Sequence, residues 1–247
     1  MKLTILGCSG AYPGPLGPCS SYLVTTERTR VLVDCGAGSL ANLHPILGST
    51  YDLLDGVVLS HLHGDHISDF LVLRHAVAAA REVGSREEPL VAYAPPEPEE
   101  VFRVLPHHDH VLVRRIPEEG LVIGDLKLSF ARAAHGPLTY AMRIAQEAGP
   151  ALAYTADTGP CDEVAALVEG ADLLLAEATW TDDRAGEGHL SGREAGRMAR
   201  DAGVGGLVIT HTGPLFDPEE ILREAREEFP AAVLARPGGE YIVGREA

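Results

Sequence analysis

The chain is predicted to fold as an α/β protein in which two sheets lie between flanking helices, and three observations lead there. Short apolar runs rich in Val, Ile and Leu alternate with helical patterns in both halves of the sequence. Four of these runs end at or beside a His or Asp, which would gather polar side chains along one edge between the sheets. With 247 residues and 45% hydrophobic content the chain can bury a substantial core, and residues 1–247 are read as a single domain.

The first strand is read at Leu3–Leu6, followed by a Gly- and Pro-rich loop from Gly7 to Pro18 and by strands at Ser21–Thr25 and Arg30–Asp34. That loop has neither G-x-G-x-x-G nor a Gly-Lys-Ser/Thr ending, so it is not a nucleotide fingerprint; it is expected to line a cleft, with Ser20 and Ser21 as substrate contacts. Gly56–Leu59 is the next strand. Ile67 to Val83 carries Phe70, Leu71, Leu73, Val77 and Ala78 at helical spacing and closes at Gly84. Glu87 to Glu100, rich in Pro and Glu, is expected to be a surface connection.

The second half repeats the logic. Strands are expected at Leu112–Arg115, Leu121–Ile123, Leu126–Ala131, Tyr140–Ile144, Ala151–Ala156, Leu173–Ala176, Leu207–Thr210 and Tyr241–Val243. Helices are expected near Asp162–Val168, after the capping box Ser191-x-x-Glu194, and after Asp217-Pro218-x-Glu220, where Pro suits the first helical turn.

The densest chemistry lies in Ser60-His61-Leu62-His63-Gly64-Asp65-His66, three imidazoles and a carboxylate directly after the strand Gly56–Leu59. Neutral imidazole and carboxylate suit zinc, manganese or iron, and no thiol is present to close a structural tetrahedron, so an open, hydrolytic centre is expected. His61 and His63 would face the same way and share one ion, while Gly64 would permit a sharp bend that swings Asp65 and His66 toward a second. Three further candidates each follow an apolar run: His135, Asp157 and His211. A strand exit holds a ligand rigidly while leaving it open to a cleft.

The motif His61-x-His63-x-Asp65-His66, followed in order by His135, Asp157 and His211, resembles that of the metallo-β-lactamase superfamily. The resemblance implies a four-layer αββα sandwich and two divalent metal ions, zinc or alternatively manganese or iron. It assigns His61, His63 and His135 to one ion and Asp65, His66 and His211 to the other, with Asp157 bridging. Asp65 would also orient the water shared by the metals. Glu177-Ala178-Thr179 and His189-Leu190-Ser191 resemble elements of the ribonuclease Z-like phosphodiesterase branch, which implies that His189 protonates the leaving group and that Glu177 orients it. The transfer-RNA enzymes of that branch carry a long arm in their second half. Here only 21 residues separate His135 from Asp157, and Thr212-Gly213-Pro214-Leu215-Phe216 lacks the basic and aromatic pair that normally follows the last histidine.

The expected activity is therefore hydrolysis of a small phosphodiester or nucleotide by a metal-bridging hydroxide. A glyoxalase II-like thioesterase or a lactonase would use the same seven ligands, and a ribonuclease acting on RNA ends is a further alternative. Asp157 in place of Cys argues against a true β-lactamase.

The formal charge of −16 and a pI near 5.0 disfavour a passive grip on a long polyanion, so a small-molecule substrate is expected and transfer RNA is not. Met1-Lys2-Leu3-Thr4-Ile5-Leu6-Gly7 reads as a strand rather than a signal peptide, and no run approaches membrane-spanning length. Cys8, Cys19, Cys35 and Cys161 lack C-x-x-C spacing and are expected to be free thiols in a reducing cytoplasm. A homodimer is compatible with these features. His107-His108-Asp109-His110 follows Pro106 and reads as a solvated turn or cleft rim, with a lid over the site as an alternative.

Overall fold

Near-continuous burial along the interior strands creates sheets with two apolar faces, and such a sheet needs a layer on each side. In the computed structural model, which describes residues 1–48 and 53–244, this requirement is met by two seven-stranded sheets stacked face to face with helices outside each. The first sheet is built from β1 (Lys2–Gly7), β2 (Ser21–Thr25), β3 (Arg30–Val33), β4 (Gly56–Val58), β5 (Leu90–Ala94) and β6 (Val111–Arg115), in that spatial order. The last strand of the chain, β14 (Glu240–Ile242), closes it beside β1. The second comprises β7 (Leu121–Ile123), β8 (Leu126–Arg132), β9 (Tyr140–Gln146), β10 (Ala151–Tyr154), β11 (Leu173–Glu177), β12 (Leu207–Thr210) and β13 (Val233–Leu234), again in chain order across the sheet. The helices are α1 (Leu40–Leu47), α2 (Gly64–Ile67), α3 (Phe70–Glu82), α4 (Glu99–Phe102), α5 (Asp162–Val168), α6 (Gly192–Asp201) and α7 (Pro218–Glu228).

Three apolar clusters define the four layers. Leu3, Ile5, Tyr22 and Val33 meet Leu128, Met142, Leu152 and Tyr154 between the sheets. Leu23, Leu32, Val57 and Leu59, on the opposite face of the first sheet, pack with Phe70, Leu73 and Val77 of α3. Ala153, Leu174, Ala176 and Ile209 do the same for the second sheet with Val164, Ala195, Ile221 and Ala225. The αββα sandwich expected from the sequence is the observed fold. Among the described residues no helix is long and apolar enough to cross a membrane.

The anticipated caps form. Ser191 accepts from the Glu194 backbone N–H while the Glu194 side chain accepts from the Ser191 N–H, and Asp217 caps α7 ahead of Pro218. Other expectations need correction. Glu87 to Glu100 is not merely a surface connection, because Leu90–Ala94 is an interior strand paired in parallel on both sides, with Leu90, Ala92 and Ala94 fully buried. The helix expected from Ile67 to Val83 is broken at Ser68 and Asp69 into α2 and α3. The Asp69 carboxylate accepts from the Leu40 N–H at 2.9 Å, and the Asp69 and Phe70 N–H groups both donate to the Cys35 carbonyl. This break ties the segment bearing the histidines to the loop after β3.

Candidate metal centre

Parallel strands β3, β4 and β5 of one sheet and β10, β11 and β12 of the other all end at the same side of the sandwich, so the residues following them converge. Two groups form there. Ligand atoms of His61, His63, His135 and Asp157 lie within 4.8 Å of one another, as do those of Asp65, His66, Asp157 and His211. All seven sequence candidates are thus brought together, and Asp157 belongs to both groups.

The separations suit an ion in each group. In the first, His61 Nε2 is 3.1 Å from His63 Nδ1 and 3.6 Å from Asp157 Oδ2, and His135 Nε2 is 3.2 Å from His63 Nδ1. In the second, Asp65 Oδ2 is 3.1 Å from His211 Nε2, and His66 Nε2 is 3.3 Å from Asp157 Oδ1. Bonds of 2.0–2.1 Å at tetrahedral angles would separate ligands by about 3.3 Å.

Hydrogen bonding on the far side of each ring supports the same reading. His66 Nδ1–H donates to Asp34 Oδ2 at 2.8 Å, His135 Nδ1–H to the Gly188 carbonyl at 2.8 Å, and His211 Nδ1–H to Thr179 Oγ at 3.0 Å. The Ser60 hydroxyl donates to Asp34 Oδ2, which leaves its oxygen to accept from His61 Nδ1–H at 3.1 Å. Each of these rings therefore turns an Nε2 lone pair inward, toward other acceptors. His66 Nε2 and Asp157 Oδ1 are buried without a hydrogen-bond partner. Converging acceptors with so few protons among them are the environment that a cation relieves.

Without a cation the buried carboxylates draw charge onto the rings: burial lowers His66 and His211, but Asp157, with Asp34 for the first and Asp65 for the second, outweighs it and raises both, so each holds a proton that a metal ion would displace. Burial would raise the Asp157 carboxyl, but His211, His66 and His61 outweigh it and hold the group well below its ordinary range. Burial, reinforced by His66, keeps His61 neutral, and burial with His135 lowers His63. Burial also pushes the Cys8 and Cys19 thiols up to about 12, and the four cysteines are free.

The residue that sequence reasoning missed is Asp34, fully buried beneath the first sheet's contribution. It accepts from the Ser60 N–H at 2.7 Å, the Ser60 hydroxyl at 2.8 Å, His66 and the Tyr154 hydroxyl at 3.0 Å. It holds His66 directly and His61 through Ser60. Glu177 does the same under the other sheet. It accepts from His189 Nδ1–H at 2.9 Å and from the Thr179 hydroxyl at 3.0 Å, and Thr179 in turn holds His211. The signal for Asp34 was available, since it ends the apolar strand Val31-Leu32-Val33 just as Asp157 ends another. Replacing it by Asn keeps the size and removes the charge. Asp34→Asn is expected to weaken metal binding 10–100-fold, as is typical of an outer partner, measured by competition with a chelator; unchanged affinity would remove it from the site.

Close approach, not chain reversal at Gly64, shapes the centre. Gly64 opens α2 and a Cβ there would meet nothing nearer than Ser68 Oγ at 3.7 Å. By contrast a Cβ at Gly36 would overlap the Asp65 carbonyl, and one at Gly10 would overlap the His211 ring. Asp34, Ala156 and His211 all adopt left-handed backbone, with φ of 54°, 51° and 52°, at or beside strand ends around the centre.

One minor expectation and one alternative fail, while the solvated turn expected at His107–His110 forms. Ser20 and Ser21 are fully buried; Ser20 accepts from the Tyr22 hydroxyl and Ser21 donates to the Asp34 carbonyl, so neither faces a cleft. The turn at His107–His110 precedes β6, whose start pairs with the start of β5. It therefore sits at the opposite end of the parallel strands from the centre and is no lid.

A family model described as the beta-lactamase superfamily domain matches residues 29–212. The chain belongs to that superfamily, among its metallo-hydrolases. It is 33% identical over 242 residues to the probable metallo-hydrolase YhfI of Bacillus subtilis, an alignment covering 96% of this chain and 98% of that protein. The crystal structure of YhfI matches with a TM-score of 0.91 at 32% identity, over 97% of this chain and 98% of the other. Ribonuclease Z of Halorubrum lacusprofundi is 28% identical over 305 residues, covering 98% of this chain and 96% of that protein.

Proposed function

We propose that the protein is a dinuclear metal-dependent phosphodiesterase acting on a small phosphodiester. The observation that carries this reading is the arrangement of Asp157, common to both ligand groups, beside a His189 whose Nδ1–H is held by Glu177. His61, His63, His135 and Asp157 would hold one ion and Asp65, His66, Asp157 and His211 the other. Zinc suits this set best, with manganese and iron as alternatives. Two divalent ions bound there would supply a water acidic enough to attack near neutral pH and positive charge for the phosphoryl oxygens.

The chain's own groups complete the chemistry. With Nδ1 committed to Glu177, His189 has Nε2 to offer a departing alkoxide from the wall of the cleft. Burial pushes His189 down, but the hydrogen bond and charge of Glu177, followed by Asp157 and Asp65, more than compensate and raise it. The Glu177 carboxylate thereby favours the protonated ring, the form a proton donor needs. Thr179 links Glu177 to His211, so one buried carboxylate positions both the proton donor and a ligand.

A ribonuclease among the relatives favours phosphodiester over thioester or lactone chemistry. Against transfer RNA stand the acidic charge and the interval from His135 to Asp157, which β9 and β10 occupy. Metal-saturated protein should carry two ions per chain and hydrolyse bis-p-nitrophenyl phosphate faster than a thioester or a lactone. Faster turnover of either rival substrate at equal metal content would overturn the assignment.

A further inference from the structure

Two clefts open on the centre. One, of about 820 Å³, holds His135 and His189 between walls that include Gly136, Gly186 and Glu187. The other, of about 540 Å³, holds His63 and Asp65 with Tyr12 and Pro13. Both are within the roughly 300–1,000 Å³ usual for small ligands, so each can receive one arm of a substrate.

Among the described residues lining these clefts there is no Lys or Arg. Apart from imidazoles, the charged lining groups are Glu187 in the first cleft and Asp65 in the second, both acidic. Arg184, close to Glu187 in sequence, is exposed and paired with Asp183 at 3.6 Å. A site that receives a phosphorylated arm ordinarily meets it with Arg, Lys or clustered backbone N–H groups. Glu187 is exposed and makes no ion pair among the described residues. The backbone beside it is held to the centre, because the Gly188 carbonyl accepts from His135 Nδ1–H at 2.8 Å. An uncompensated carboxylate thus stands on the wall of the same cleft as His189.

We propose that Glu187 is a specificity-determining residue that rejects leaving groups carrying a further negative charge. On the phosphodiesterase reading, the substrate is then a diester whose only anionic group is the scissile phosphate and whose arms are neutral. A terminal phosphate carries about −1.5 to −2 charges at neutral pH. Inside the cleft it would lie within the Debye length of about 8–10 Å from Glu187, where repulsion is incompletely screened.

The test compares a dinucleoside monophosphate with the same compound bearing a terminal phosphate, at the 3′ or the 5′ end, on metal-saturated wild type and Glu187→Arg. Wild type should prefer the unphosphorylated compound by roughly tenfold or more in kcat/KM against at least one phosphorylated isomer. Glu187→Arg should shrink or invert that ratio. Because the ratio is read within one sample, a partly folded variant does not distort it, and improved turnover of the phosphorylated compound cannot come from damage. Hydrolysis of all the compounds at like rates by wild type, or a preference that survives Glu187→Arg, would overturn the role of Glu187 and leave the phosphodiesterase reading standing. Hydrolysis of none by the metal-saturated enzyme would remove both.

Discussion

Asp157→Ala is expected to lower kcat/KM by on the order of 10³-fold or more and to deplete both ions, an effect beyond the 10–100-fold typical of outer partners. Asp157 is nearly fully buried and faces four of the five imidazoles in the two groups. Its Oδ2 is 3.6 Å from His61, 3.9 Å from His135 and 3.4 Å from His211, and its Oδ1 is 3.3 Å from His66. Removing it takes away an anchor for each ion and the negative charge that offsets them. A loss of 10³ in rate corresponds to about 4 kcal/mol of transition-state stabilisation. Elemental analysis should show the depletion alongside the kinetics. Retention of two ions with more than a tenth of wild-type activity would rule out the shared carboxylate.

His189→Ala should behave differently. It is expected to slow esters with alkoxide leaving groups by about 10²–10⁴-fold and p-nitrophenyl esters far less, because a nitrophenolate departs with little protonation. Metal content should stay near wild type, since His189 lies outside both groups of four. Its ring stacks on His211 at a centroid separation of 5.6 Å and an interplanar angle of 13°, so the variant also needs its metal content measured directly. Equal losses on the two substrate classes with both ions in place would leave His189 as a positioning residue rather than a proton donor.

The elements legible in the sequence were those whose pattern is local. Leu126–Arg132 announces itself by alternating apolar and polar residues, Leu207–Thr210 by an apolar, β-branched run, and α6 by its capping box. Strand Leu90–Ala94 was obscured because Pro and Glu flank it closely, although it pairs on both edges inside the sheet. Helix α1 carries Pro45 in its interior and has no side-chain cap, so propensity gave no warning of it. In the site, the seven His and Asp candidates were visible because each ends a strand or follows one. Asp34 ends an apolar strand as Asp157 does, but what it does there is set by His66 and Tyr154, 32 and 120 residues away in the chain. The left-handed backbone at Asp34, Ala156 and His211 likewise had no local mark, since none is a glycine; such conformations cost of order 1–3 kcal/mol each and persist only where surrounding structure enforces them.

Each ligand group draws on both sheets: His61 and His63 follow β4 while His135 and Asp157 follow β8 and β10, and Asp65 and His66 in α2 face Asp157 and His211. Ions held there would cross-link the halves of the sandwich much as a buckle joins two ends of a belt. Ligand free energy then becomes folding free energy: at free metal one hundred times the dissociation constant, a single site adds about 2.7 kcal/mol to the stability of the folded chain. The thermal midpoint would climb with metal concentration, and a chelator would loosen the seam between the sheets before it disturbed the interior of either, because the strands keep their own ladders while the connection across the edge is lost.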